Sequence, residues 1–263
     1  MYVFDRDIAL TEEKPLRYRA VISDNWSING APNGGYLMAV LANAMLRGSE
    51  KKTTPIVTAN YISRCVPGPA ELRVEPFSES RQFSRFQAGL FQEGKEKIRA
   101  IGTFGEEKNE CFMVRYESAP LDLPPLEECL PVPAVPKVNP LANVDMRMDP
   151  ACAGWMQGKT SERSEQRGWI RFRDGRPFDL LSLFLIADVF PPAVFASQGL
   201  MAWVPTIEFS VNVRSVPRTK WLRCAFRTRF INCGLLEEDG ELWDEDGELV
   251  AISRQIAQFR KPA

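Results

Sequence analysis

The chain repeats itself, and the repeat limits what it can fold into. Arg64-Cys65-Val66-Pro67 returns as Arg214-Ser215-Val216-Pro217, an offset of 150 residues (214 − 64). Apolar and polar residues alternate before each copy, over 55–63 and 205–213. A helix-length apolar stretch lies upstream in each half, 36–46 and 180–190. Shorter strand-like runs follow, 72–77 against 222–226 and 85–91 against 228–233. A glycine turn and a last strand close each half, Gly94 before 98–104 and Gly247 before 249–259. An edge strand opens each, 18–22 and 169–173. Self-similarity on this scale marks one structural unit used twice.

Each unit reads strand, helix, then four strands, with the alternation and turn residues of short antiparallel strands. The second helical stretch is apolar on all sides, which argues that it is buried. The pattern predicts an α+β fold: in each half a curved antiparallel sheet wraps around one buried helix. The two sheets would pair into one larger sheet with both helices inside. The units are expected at 1–105 and 166–263, with a connector over 106–165. Seven prolines between Pro120 and Pro140 make that connector extended, since proline neither donates in a sheet nor fits a helix interior. The polar run 157–167 is expected on the surface or without fixed structure.

Composition removes several function classes. The formal net charge is −1, so no overall field favours nucleic acid or an anionic membrane. No apolar run is long enough, free of charge and proline, to predict membrane insertion. The N-terminus, MYVFDRDIALTEEK, lacks the basic start and apolar core of a secretory signal, so a cytoplasmic protein is expected. The six cysteines form no CxxC pair and read as reduced structural thiols. There is no histidine. That excludes Ser-His-Asp and Cys-His catalysis and every histidine-containing zinc site, and no metal site or cofactor is expected. A base in this chain would be a carboxylate.

Asp188 is the candidate. It is the only charge in residues 180–195, LLSLFLIADVFPPAVF. Taking a carboxylate out of water costs several kcal/mol unless it is paired or hydrogen-bonded. The alternative is an ordinary helix-end aspartate facing solvent beside Pro191. Gly34 and Gly35 open the first apolar stretch, where free backbone N–H groups and the helix dipole favour negative charge. They are candidate donors to a substrate oxyanion. Plain turn chemistry at Pro32-Asn33-Gly34 is the other reading.

The arrangement resembles the double hotdog fold. Asn33-Gly34-Gly35-Tyr36, Ala187-Asp188, Pro205-Thr206-Ile207-Glu208 and Arg254-Gln255 together resemble the acyl-CoA thioesterase II-like family over about residues 15–260. That resemblance implies hydrolysis of acyl-CoA thioesters to the free acid and CoA. It implies a catalytic set of Asp188 on the second buried helix, Thr206 on the next strand and Gln255 on the last strand, holding a water. It also implies association into a homo-oligomer.

The residues bear on these roles separately. Strict alternation puts Ile207, Phe209, Val211 and Val213 on one face and Thr206, Glu208, Ser210 and Asn212 on the other. Thr206 could then be a solvated strand threonine. Ala251, Ser253, Gln255 and Ala257 share a face of mostly small residues, where Gln255 could be a satisfied sheet glutamine. Leu183, Phe184, Phe190 and the 36–46 helix could line an acyl slot or simply form core. A non-catalytic acyl or acyl-CoA binding protein on the same scaffold is the alternative function, and an assembly subunit of a lipid or polyketide pathway a third. A hydratase ranks low without histidine.

Overall fold

The computed structural model describes residues 1–106, 113–118, 121–200 and 204–260; Cys111 and Pro120 lie outside them. Ten main strands carry the fold. The first half contributes β1 (Arg17–Ile22), β2 (Thr53–Tyr61), β3 (Gly68–Glu79), β4 (Phe83–Gln92) and β5 (Lys95–Gly105). The second contributes β6 (Ser164–Phe172), β7 (Thr206–Val213), β8 (Leu222–Thr228), β9 (Leu235–Asp244) and β10 (Leu249–Gln258). They lie side by side in the order β1-β3-β4-β5-β2-β7-β10-β9-β8-β6, and every neighbouring pair is antiparallel.

This order reads the same from either edge: β1 matches β6, β3 matches β8, β4 matches β9, β5 matches β10 and β2 matches β7. The duplication seen in the sequence is thus a two-fold relation in space. Its axis passes between β2 and β7, where Ala59 pairs with Phe209. Those two residues are separated by the repeat offset itself, 209 − 59 = 150. Thr58 faces Ser210 across the same seam, with their hydroxyls 2.9 Å apart.

Helix α1 (Gly34–Gly48) is enclosed by the first half, with every residue from Gly35 to Ala42 buried. Its alanines at 39, 42 and 44 keep it thin where the sheet curves round it. The second half departs from the expected 180–190 helix. Helix α2 (Ser182–Ile186) stops after five residues, and α3 (Val194–Gln198) follows a break. Pro191 and Pro192 bar a helix from running on through 190, since the residue before a proline is driven out of the helical region and neither proline has an N–H to donate. Asp188 therefore sits just past α2, in a tightened last turn where its N–H donates to the Leu185 carbonyl at 3.0 Å.

Two other expectations change. The run 228–233 is not one strand. Cys233 and Gly234 both take positive φ (49° and 75°), which makes a tight hairpin turn, and the chain returns as β9. The polar run 157–167 is partly ordered sheet, because β6 starts at Ser164. The connector also adds to the sheet: Val144–Met148 pairs with β6, and Leu130–Pro131 pairs with Val144–Met148. Leu183, Phe184 and Phe190 are buried in the main core with α1. No helix among the described residues is long and apolar enough to cross a membrane.

Candidate active site

The start of α1, from the first half, meets the end of α2, from the second. Asn33 caps α1, its Oδ1 accepting from the Tyr36 N–H at 2.9 Å. The amide end of the same side chain reaches across the halves. It donates to Asp188 Oδ2 at 2.9 Å and to the Asp188 backbone carbonyl at 2.7 Å. The Gly35 N–H donates to the same Oδ2 at 2.8 Å. The Asp188 carboxylate thus sits on the positive end of a helix belonging to the other half.

Asp188 keeps a partial opening to solvent, yet protein surrounds its carboxyl. That burial pushes its pKa up from the ordinary aspartate range to about 6. The Gly35 N–H, the Asn33 amide and the Gly34 N–H favour the ionised form and hold the rise in check. The carboxylate is therefore ionised near neutral pH but basic enough to take a proton.

Close approach explains the two glycines. A Cβ on Gly35 would run into the Phe184 carbonyl oxygen and stand 2.8 Å from Asp188 Cβ. A Cβ on Gly34 would stand 3.0 Å from both Asp188 Oδ2 and the Tyr61 hydroxyl. The backbone N–H groups reach Asp188 because nothing projects between the helices. The Gly35 N–H, expected to face a substrate oxygen, is directed at Asp188.

Thr206 lies on the opposite face from the one strict alternation assigns. A β-bulge falls at Ile207: Thr206 pairs with Ala257 and Glu208 with Ile256, leaving Ile207 without an opposite residue. The extra residue resets the alternation. Thr206 turns to the inner face with Phe209 and Gln255, while Ile207 is 37% exposed. Thr206 Oγ1 donates to Gln255 Oε1 at 2.8 Å.

The structure therefore joins Thr206 to Gln255, and Asp188 to Asn33 and Gly35. Among the described residues no hydrogen bond links Asp188 directly to Thr206 or Gln255. The two groups are related through Glu238, which the sequence reading passed over: it bonds Gln255 and feels the Asp188 charge. Glu238 is buried on β9 directly across from Gln255 on β10. It accepts from Gln255 Nε2 at 3.0 Å and from the Ala193 N–H at 2.5 Å. Burial raises its pKa to about 7, opposed by those two bonds, with the Asp188 charge adding to the rise. The signal for it was present: Leu236, Glu238, Gly240 and Leu242 alternate on the inner face of β9. Placing a turn at Cys233-Gly234 would have revealed that strand.

Tyr61 was also missed as a site residue. Its hydroxyl donates to the Gly34 carbonyl at 2.7 Å. Burial, and then the charge of Asp188, hold its pKa well above the usual tyrosine value. Among the described residues no cluster of three or more acidic or cysteine side chains could hold a metal ion. Chemically, the site combines a basic carboxylate on a helix start with a hydroxyl–amide–carboxylate chain beside it.

Residues 22–105 match the family described as acyl-CoA thioesterase N-terminal domain, and residues 122–259 match acyl-CoA thioesterase C-terminal domain. A crystal structure from Thermobifida fusca, described as a thioesterase II, superposes with a TM-score of 0.91 at 27% identity, covering 99% of this chain and 98% of that one. A hot dog fold protein of unknown function from Alicyclobacillus acidocaldarius superposes with a TM-score of 0.90 at 21% identity over all of both chains. An uncharacterized protein of Mycobacterium tuberculosis is 23% identical over 91% of this chain and 90% of its own length. With both domain types matched in order along one duplicated sheet, the chain belongs to the acyl-CoA thioesterase family and is a thioester hydrolase of double hotdog fold.

Proposed function

We propose that this protein hydrolyses acyl-CoA thioesters with a water activated by Asp188 and oriented by Thr206 and Gln255. The observation that carries the reading is the Asp188 carboxylate, held by Asn33 and Gly35 of the other half, with burial raising its pKa to about 6. In the reaction, Asp188 takes a proton as the water oxygen attacks the thioester carbonyl. The tetrahedral adduct collapses, the carbon–sulfur bond breaks, and the proton on Asp188 goes to the departing CoA sulfur.

Thr206 spends its only proton on Gln255, so its oxygen is left to accept the second water hydrogen. The water then directs a lone pair at the carbonyl carbon. The oxyanion role expected for Gly34 and Gly35 does not fit this geometry, because their N–H groups serve the Asp188 carboxylate.

The test is CoA release from purified protein over a series of acyl chain lengths, read with a thiol-reactive dye. Release of CoA that falls sharply in Asp188→Asn is the expected outcome. Tight acyl-CoA binding with no release would replace the enzyme reading with a carrier role.

A further inference from the structure

Glu238 is a buried acid without a role in the reaction just described. Both of its carboxylate oxygens accept, one from the Ala193 N–H and one from Gln255 Nε2. A backbone N–H only donates, and an ionised carboxylate only accepts, so the Gln255 amide must offer Glu238 its NH2 end. The direction of every proton in the chain Glu238–Gln255–Thr206 follows from this. Gln255 gives its N–H to Glu238 and must show its carbonyl oxygen to Thr206. Thr206 then donates to Gln255 and keeps its lone pairs.

We infer that Glu238 is a positioning residue for thioester hydrolysis: by fixing which end of the Gln255 amide faces Thr206, it makes Thr206 an acceptor for the nucleophilic water. The inference rests on the proposed function and names a further residue for the same site. Its physical content is the polarity of the chain. A water about to attack needs acceptors for its two hydrogens and a lone pair free for the carbonyl carbon. Were the Gln255 amide reversed, its NH2 would face Thr206, whose hydroxyl proton would then turn toward the water. The second water hydrogen would then lose its acceptor, and the water would no longer be held with a lone pair on the carbonyl carbon.

The backbone keeps Glu238 in place for this task. It pairs with Gln255 in the β9–β10 register, so the two side chains stand next to each other on the inner face. The Ala193 N–H comes from the segment between Asp188 and α3, so one carboxylate ties that segment to Gln255.

Glu238→Gln reverses the polarity at nearly constant shape. The Ala193 N–H still needs an acceptor, so the new amide gives its oxygen to Ala193 and its NH2 to Gln255. Gln255 must then turn over. Assayed at about pH 8, above the value of about 7 reached by Glu238, E238Q should lose about 10- to 100-fold in kcat with KM within about 2-fold of wild type. The exchange E238Q with Q255E restores the original direction, since the acid at position 255 accepts from both sides. It should be at least about 3-fold faster than E238Q alone, a recovery that a purely structural role would not produce.

E238Q with kcat within about 2-fold of wild type, a loss confined to KM, or an exchange variant no faster than E238Q would each overturn the inference. Should E238Q not fold, as judged by its melting curve, E238D takes its place with the same readings, its carboxylate being one methylene too short to span Ala193 and Gln255. A wild-type protein that releases no CoA would remove the proposed function and this inference together. An active wild type with an equally active E238Q removes only the inference.

Discussion

Asn33 and Asp188, 155 residues apart, are joined twice, through the carboxylate at 2.9 Å and the backbone carbonyl at 2.7 Å. One amide thus holds the acid in place and favours its ionised form, beside the larger effects of burial and the Gly35 N–H, while its other end caps α1. The two duties can be separated by substitution.

Asn33→Ser keeps a good helix cap but is too short to reach Asp188. The cap itself should hold, but the two bonds lost at Asp188 should lower the unfolding free energy by about 1–3 kcal/mol. The Asp188 carboxyl loses a bond that favours its ionised form, so its pKa rises. The acidic limb of the kcat/KM profile should move to higher pH in a series of rate measurements. An unmoved limb would show that Asn33 does not tune the acid.

Asp188→Asn should abolish most turnover, by more than about 100-fold in kcat, and raise stability in neutral solution. The folded-state pKa is raised from 3.8 to about 6. Below the lower value both states hold the proton and the group contributes nothing. Between the two, the unfolded chain releases the proton and the folded chain keeps it, so stability falls as pH rises. Above about pH 6 the ionised acid weighs against folding by up to roughly 3 kcal/mol. Melting curves of wild type and D188N should therefore converge near pH 4 and separate near pH 8, with D188N higher.

Gly35→Ala should destabilise despite the better helix propensity of alanine. The clash with the Phe184 carbonyl has no flexible partner to move, and overpacking of this kind costs about 1–3 kcal/mol. Gly34→Ala meets only the ends of the Asp188 and Tyr61 side chains and should cost less. Denaturant unfolding of the two variants gives the comparison. Equal stabilities would contradict the close approach of α1 and α2.

Thr206→Val keeps the shape but removes the acceptor oxygen and should lower kcat about 10- to 100-fold. Thr206→Ser keeps the hydroxyl and should retain most of the rate. A T206V variant as fast as T206S would take the hydroxyl out of the mechanism. Steady-state kinetics on one acyl-CoA suffice.

Much of the fold was legible because duplication gives every element a second witness. The offset between Arg64 and Arg214 marked 55–63 and 205–213 as equivalent strands, and the structure adds that they pair with each other on the two-fold axis. The apolar run containing Asp188 marked a buried acid. What stayed hidden depends on one-residue events. The bulge at Ile207 reverses the face of Thr206, and no composition rule announces an extra residue in a strand. Cys233 with positive φ is a turn that residue preferences do not favour, so β9 and with it Glu238 went unread. Asn33 stood in a quoted motif, but its contact with Asp188 spans the two halves and exists only once the helices pack.

The backbone of the two halves is doubled, but the polar side chains are not. On β4 and β5, the strands that match those of Glu238 and Gln255, the facing pair Ala88 and Ala100 stands where the second half has Glu238 and Gln255, although Ser84 and Gln92 are buried elsewhere on β4. The first half lends the opening turn of its helix. On the proposed function each polypeptide carries a single reaction centre, and a tight thioester analogue would saturate at one equivalent per chain instead of two.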